Sequence, residues 1–290
     1  MAVGRSKTPK KLAVVMAHEK ETLAAVELAW RQGMVEPILI GDRKIIEENL
    51  SGLGLSHCGC RIFHCGDEGE CLGQTAALLR EGAADAVMKD QIKTGSLMRL
   101  FVKKENGFLK KKVLSHIAFN ELPCYHKLLC ITDTSLNVAP DVEQKQCLIE
   151  NAVEAMAGLG FDTPKVAVMA AVEYENPAMK ETADAAELAR RNRAGELKGC
   201  IVEGPISLDL AIDTHAAQVK GYKSRVAGDA DLLVVPDLAS GNLLGKAFNY
   251  MPGSQFAGFI TGACAPIVLT SRASSPENKF LSVAAACLGR

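Results

Sequence analysis

Short apolar, β-branched runs alternate with longer amphipathic stretches along the whole 290-residue chain. The runs predict strands at 12–16, 37–40, 61–63, 86–88, 128–131, 166–169, 199–202, 232–235, 256–260 and 266–270. Several are apolar at consecutive positions, as in strands covered by helices on both faces. Helical patterns lie between them at 21–32, 74–80, 142–159, 182–193, 208–219, 242–250 and 276–288. The clearest is 21–32, where Leu23, Val26, Ala29 and Trp30 share one face. Strand–helix alternation of this kind predicts the α/β class, built from βαβ units around mostly parallel sheets. There is no internal repeat and no low-complexity linker.

The length suits two domains at the usual ~100–200 residues each. The loop from Thr132 to Pro140 is the best candidate break, with Pro140 leading into a helix. Two open α/β sheets would bind ligands beyond the C-terminal ends of their strands, which makes an interdomain cleft the default site. The 48% hydrophobic and 23% charged content excludes disorder, collagen and coiled coil. With 33 Lys and Arg against 34 Asp and Glu, the net charge is −1. The chain therefore carries no global electrostatic footprint for nucleic acid or an anionic membrane, and any anion must be gripped locally. Aromatics at 5%, with the single Trp30, argue against base-stacking platforms. The ten cysteines are scattered, several inside apolar runs, and read as reduced, buried thiols of a cytoplasmic protein rather than a disulfide scaffold. The apolar stretch at 12–17 is too short for a signal-peptide core, and no run approaches the ~20 residues of a membrane helix.

Three segments could hold an anion. Asp237 follows a buried strand, and Gly241-Asn242 then opens a helix whose exposed N–H groups favour a phosphate or carboxylate. The same residues also suit an ordinary βα turn with an Asn cap. Ser271 and Arg272 end the strand at 266–270, and Glu277 and Asn278 follow one short loop later. Arg holds phosphate oxygens bidentately and Ser donates to the same anion. A helix capped by Ser274 or Ser275, with Arg272 in a surface ion pair, is the plainer alternative. Lys89, Lys93, Thr94, Ser96 and Arg99 follow another strand and resemble a helix-start anion site more than a solvated face. The cluster His57, Cys58, Cys60, His64, Cys65 and Cys71 has zinc-type side chains, but its spacing lacks a second matched pair and a strand runs through it. Asp209 and Asp213 share a helical face and read as a solvated edge.

Together these pieces resemble the phosphate acetyl/butyryl transferase family. The resemblance is carried by KSRVAGDADLLVVPDLASGN over 223–242 and APIVLTSR over 265–272. The phrases VEPILIGD over 35–42, Met88-Lys89, Thr132-Asp133 and NVAPD over 137–141 match the butyryl branch better. Similarity spans roughly residues 10 to 290. It implies two parallel-sheet α/β domains with an interdomain cleft, like the isocitrate/isopropylmalate dehydrogenases. One domain would be discontinuous, 1–136 plus 266–290, with 137–265 inserted and forming a homodimer or higher homo-oligomer. The implied reaction is acyl-CoA plus phosphate giving acyl phosphate plus CoA, reversibly. Coenzyme A is a substrate, and no cofactor or metal takes part in the chemical step.

By this resemblance Ser271 and Arg272 sit at the reacting centre and Arg99 binds a substrate phosphate. Lys89, Lys93, Thr94, Asp237, Gly241 and Asn242 complete the expected binding set. One position departs from the acetyl branch, which carries an Asp base six residues after the Arg. Asn278 stands there, beside Glu277. Either Glu277 substitutes, or the base lies elsewhere, or the thiolate forms without one. The rival readings are another short-acyl specificity such as acetyl, a non-catalytic acyl-CoA-sensing module, and a metal-dependent hydroxyacid dehydrogenase on the same fold. The last lacks a clear dinucleotide site.

Overall fold

The computed structural model describes residues 8–55, 59–271 and 274–289. Two compact units emerge: residues up to Lys110 together with Ala257–Leu288, and Lys111–Phe256. The second is inserted into the first along the chain. It begins before the expected break at 136/137, because a strand at Ser115–Glu121 hydrogen-bonds to the one at Leu129–Thr132, which in turn pairs with Leu232–Val234. Residues 111–136 are thereby sheet partners of the second unit.

The first unit runs β1 (Lys10–Val15), α1 (Lys20–Arg31), β2 (Val35–Gly41), α2 (Arg43–Gly52), β3 (Arg61–His64), α3 (Glu68–Arg80), β4 (Ala86–Lys89) and α4 (Thr94–Val102). The second runs β5 (Ser115–Glu121), β6 (Leu129–Thr132), α5 (Val142–Ala157), β7 (Lys165–Met169), α6 (Lys180–Arg193), β8 (Ile201–Ile206), α7 (Leu208–Ile212), α8 (Thr214–Val219), β9 (Leu232–Val234) and α9 (Leu238–Asn249). The chain then returns through β10 (Gln255–Thr261), β11 (Ile267–Val268) and α10 (Pro276–Leu288).

Strand order in the first unit is β3-β2-β1-β4-β11-β10. All neighbours are parallel except β10 with β11. The order in the second unit is β5-β6-β9-β7-β8, parallel except for β5 with β6. Each unit is therefore a mostly parallel α/β sheet. The central β1 buries Leu12, Ala13, Val14 and Val15 completely. It can do so because α3 packs on β1 and β2, α1 on β2, and α10 on β4 and β11. In the second unit Leu129, Ile131, Ala167, Met169, Ile206 and Leu233 meet Leu210, Ala217 and Phe248 in one core.

Carboxylates start several helices. Asp42 accepts from the Lys44 and Ile45 amides, Asp67 from Glu70, and Asp141 forms a capping box with Gln144 just after Pro140. The single helix expected over 208–219 is two. Asp213 ends α7 and its carboxylate caps α8 through the His215 amide at 2.8 Å, which breaks the run. Asp209 pairs instead with Lys220 at 2.9 Å. No helix among the described residues is long and apolar enough to cross a membrane.

Candidate active site

The parallel strands of the first unit all finish on the same edge, and the segments after them hold most of the expected site residues. β4 ends at Lys89 beside β11, in the register Ile267↔Val87 and Val268↔Met88. Only two residues of β11 keep that pairing, so 269–271 leave the sheet where Lys89 does. This brings Ser271, which is exposed, to the side of the sheet that carries Lys89 and the start of α4. Arg272 lies outside the described residues, as do His57 and Cys58. Glu277 is exposed in the first turn of α10. Asn278 donates its backbone N–H to Ser275 Oγ at 3.2 Å, so Ser275 caps α10.

Lys89 is buried, and its Nζ donates to the Asp90 carbonyl at 2.8 Å. Lys93 occupies the N-cap position of α4, and its side chain makes no cap bond. The Thr94 and Gly95 amides at that start are the kind of orphan donors that suit an oxyanion, and a Cβ at Gly95 would meet nothing within 4 Å. Arg99 lies one turn on. Its Nε donates to the Gly95 carbonyl at 3.2 Å, and its side chain lines a groove of about 620 Å³ between α3 and α4. Arg80 and Lys103 share that groove with Glu68 and Glu105. Arg99 thus faces α3 rather than the strand end at Lys89.

Asp90 is a residue that sequence reasoning passed over. It is 4% exposed, and its Oδ2 accepts from the His18 and Glu19 amides at 2.7 and 2.8 Å. Its Oδ1 accepts from Thr22 Oγ1 at 2.7 Å. Glu19 stands at the N-cap position of α1 but makes no side-chain cap, and the carboxylate after the neighbouring strand instead holds the amides just before the helix and the Thr22 hydroxyl in its first turn. Burial pushes the Asp90 carboxyl up to about 6, against the pull of those hydrogen bonds. The turn before α1 also contains Met16 at φ 55°, a left-handed conformation uncommon for a side chain of its size. His18 Nε2 accepts from the Asp42 amide at 2.9 Å, and burial lowers the pKa of the ring, so the imidazole is neutral there. Gly41 is required at this contact, since a Cβ would lie 2.5 Å from His18 Nε2.

Lys279 was also missed. It is 1% exposed, on the same helical stripe as the buried Ser282, Val283 and Ala286. Its Nζ reaches Thr22 Oγ1 at 3.2 Å and Glu19 Oε2 at 3.3 Å. A lysine within the apolar spacing of α10 was the available signal.

In the second unit the Gly241-Asn242 expectation is corrected. α9 starts at Leu238, with Asp237 as N-cap in a capping box with Ser240, whose amide it accepts at 2.8 Å. That bond holds the Asp237 carboxyl below the usual range. Gly241 and Asn242 lie within the helix and pack on the loop after β6. A Cβ at Gly241 would stand 2.3 Å from the Asp133 carbonyl oxygen, and Asn242 Nδ2 donates to the Thr134 carbonyl at 3.3 Å. The Asp133 carboxylate organises that loop, accepting from the Ser135 and Leu136 amides at 2.7 and 3.1 Å and from Asn137 Nδ2 at 2.5 Å. The two motifs singled out in this unit, around 132–137 and 236–242, thus hold each other. Behind them the buried Lys145 pairs with Asp184 at 2.7 Å.

The thiols offer little to a metal. Burial raises Cys65 and pushes Cys71 up to about 12, which favours the protonated form over a ligating thiolate. Among the described residues no group of three or more His, Cys, Asp or Glu is placed to hold a metal ion.

Comparison with known proteins matches this geometry to one family. The family model for phosphate acetyl/butaryl transferase matches residues 68–287. A phosphate acetyltransferase of Thermotoga maritima is 38% identical, covering 95% of this chain and 93% of the relative. A phosphate butyryltransferase of Clostridium acetobutylicum is 36% identical, covering 98% and 94%. The crystal structure of a branched-chain phosphotransacylase from Enterococcus faecalis V583 aligns with a TM-score of 0.85 at 32% identity, over 97% of this chain and 98% of that one. A candidate 4-hydroxythreonine-4-phosphate dehydrogenase from Salmonella typhimurium shares the fold alone, with a TM-score of 0.60 at 14% identity over 97% and 99%.

Proposed function

The chain belongs to the phosphate acetyl/butaryl transferase family, and from that premise we propose that it moves a short-chain acyl group between coenzyme A and inorganic phosphate. The reaction is butyryl-CoA plus phosphate giving butyryl phosphate plus CoA, and it is reversible. The observation that carries the reading is the junction of β4 and β11. The chain leaves β11 after Val268, opposite Met88, so Ser271 follows on the side of the sheet where Lys89 ends β4 and where α4 starts uncapped with Lys93 and Thr94.

Both substrates are polyanions, and a chain of net charge −1 must concentrate its cations locally. In one direction a phosphate oxygen attacks the thioester carbonyl and CoA leaves as thiolate. In the other the thiolate attacks the acyl phosphate carbonyl and phosphate leaves. Either path passes through a tetrahedral oxyanion, which preorganised donors stabilise. Holding the two substrates side by side replaces a bimolecular encounter. We assign Ser271 and Arg272 to the reacting centre, on the strength of the family motif. Lys89, Lys93 and Thr94 are assigned to phosphate groups, and Arg99 to a phosphate farther from the strand ends. For the second unit, the start of α9 at Asp237 is assigned to substrate binding. The residues need no metal or prosthetic group in the chemical step, and the setting proposed is the cytoplasm.

The test is a panel of acetyl-, butyryl- and isobutyryl-CoA assayed with phosphate for CoA release. Turnover is expected to be highest with a four-carbon acyl group. Arg272→Ala is expected to lose ~10²–10³ in turnover, with Arg272→Lys recovering only part because the bidentate fork is gone. Acyl-CoA binding without phosphate-dependent CoA release from any of the three would favour the sensing module instead.

A further inference from the structure

Lysine is almost never fully buried unless paired, and the Lys279 side chain is 2% exposed. It projects from the first turn of α10, directly after Glu277 and Asn278. Its ammonium donates to Glu19 Oε2 and Thr22 Oγ1, both at the start of α1. The Thr22 hydroxyl, which accepts from Lys279, donates onward to Asp90 Oδ1. Asp90 also takes the His18 and Glu19 amides, and its own carbonyl takes Lys89 Nζ. The result is one buried polar chain, Lys279–Thr22–Asp90–Lys89, with Glu19 as a side branch. It joins the helix turn that follows Ser271-Arg272 to the strand end that carries Lys89.

A network of this kind is poorly explained by stability. Desolvating an ammonium and a carboxylate costs several kcal/mol per ion, and apolar replacement of buried ion pairs is often neutral or stabilising. An apolar side chain would suit the stripe of Ser282, Val283 and Ala286 at least as well. What the ionic chain supplies is direction. Ammonium and hydroxyl must meet at hydrogen-bond distance, whereas apolar contact tolerates sliding.

We propose that Lys279 is a positioning residue of the acyl-transfer site, fixing the Glu277–Asn278 turn of α10 relative to the Lys89 strand end through Thr22 and Asp90. This rests on the proposed function, since it assigns a role within the same site. Lys279 does not touch substrate. It acts by holding the groups that do, and a misplacement of about 1 Å in such groups can cost ~10² in rate.

The experiment uses the full-length protein with butyryl-CoA and phosphate, and reads kcat, both KM values and Tm. Lys279→Met keeps the length and removes the charge. It is expected to lower kcat ~10- to 100-fold, with KM for either substrate changed less than about threefold, and to lower Tm because the Glu19 carboxylate loses its buried ammonium. Thr22→Val removes the bridging hydroxyl at nearly constant volume and is expected to lower kcat in the same direction. In the double variant the two losses should be far from additive, as for residues acting through one contact. A Lys279→Met protein with parental kcat overturns the proposal, and so does one whose losses lie wholly in KM. Should Lys279→Met fail to fold, Thr22→Val decides: parental kcat at parental Tm overturns it. Failure of the functional reading is distinct, because the parent protein itself would then release no CoA.

Discussion

At the scale of single residues the sharpest question is the base for the CoA thiol. Asn278 occupies the position where the acetyl branch carries an Asp, and an amide cannot take a proton. Its backbone is fully engaged, with the N–H on Ser275 Oγ at 3.2 Å and the carbonyl on Ser282 Oγ at 2.8 Å, so the turn is well defined. Glu277 is its exposed neighbour. A free thiol of pKa ~8.5 is a few per cent thiolate at neutral pH, and nearby cations raise that share. General-base help would then contribute ~10²–10⁴. We expect Glu277→Gln to lower kcat about 100-fold, Asn278→Asp to be mild or activating, and Asn278→Asp to rescue Glu277→Gln in the double variant. Steady-state kcat for the four proteins in the acyl-phosphate-to-CoA direction checks this. A mild Glu277→Gln would mean that the thiolate forms without a carboxylate base from this turn.

Among the elements, α1 shows how a helix start can be built from elsewhere in the chain. The His18 and Glu19 amides just before it and the Thr22 hydroxyl in its first turn are all held by Asp90, just after β4. The price of that arrangement is a buried carboxyl whose proton is held up to about 6, against an ordinary value of 3.8. The folded state therefore binds this proton more tightly than the unfolded chain. The group favours the fold at low pH, and that contribution is withdrawn as pH rises from about 4 to about 6. Above about 6 it changes no further. Asp90→Asn removes the titration. Urea unfolding at pH 4 to 7 should show parent stability falling relative to Asp90→Asn across that window, by on the order of 2–3 kcal/mol, and a constant difference thereafter. A pH-independent difference between the two would show that Asp90 is not titrating there.

On the scale of the whole molecule, the two compact units differ in how they treat apolar side chains. The most exposed large hydrophobics among the described residues are Val138, Tyr174, Val219, Leu243 and Tyr250, at 62–78% exposure, and all belong to the second unit. Their counterparts in the first unit, Leu28, Ile45 and Val102, reach only 39–46%. The most exposed apolar side chains thus all lie in one unit. With the family resemblance, this leads us to expect a homodimer formed through the second unit. Sedimentation at micromolar concentration is the check, and a monomer there would contradict it. Val219→Glu together with Leu243→Glu should then shift the dimer towards monomer without altering the first unit.

Periodicity in the sequence determined the strand–helix alternation, the α/β class and ten of the eleven strands among the described residues, because buried parallel strands are apolar on both faces and announce themselves locally. The segments assigned to phosphate could be proposed from the sequence for a related reason: Lys89, Lys93, Thr94, Ser271 and Arg272 follow apolar runs in the chain. What the pattern hid was burial of polar groups. β5 was missed because His116 and Asn120, which break its apolar run, are 3% and 1% exposed, His116 bonded to the Thr134 hydroxyl and Asn120 Nδ2 donating to the Leu129 carbonyl. α2 was missed, and of α4 only the start was read, because each buries only two side chains, Ile46 and Leu50, and Leu97 and Phe101. The helix start at Asp237 in place of Asn242 rests on a local capping box with Ser240, whereas the Asp90 bonds at the entry to α1 and the Lys279–Thr22 contact were decided only in three dimensions. Those partners lie 72 and 257 residues apart, and such a side chain's hydrogen-bond partner depends on which strand ends the sheet brings together, which no local pattern encodes.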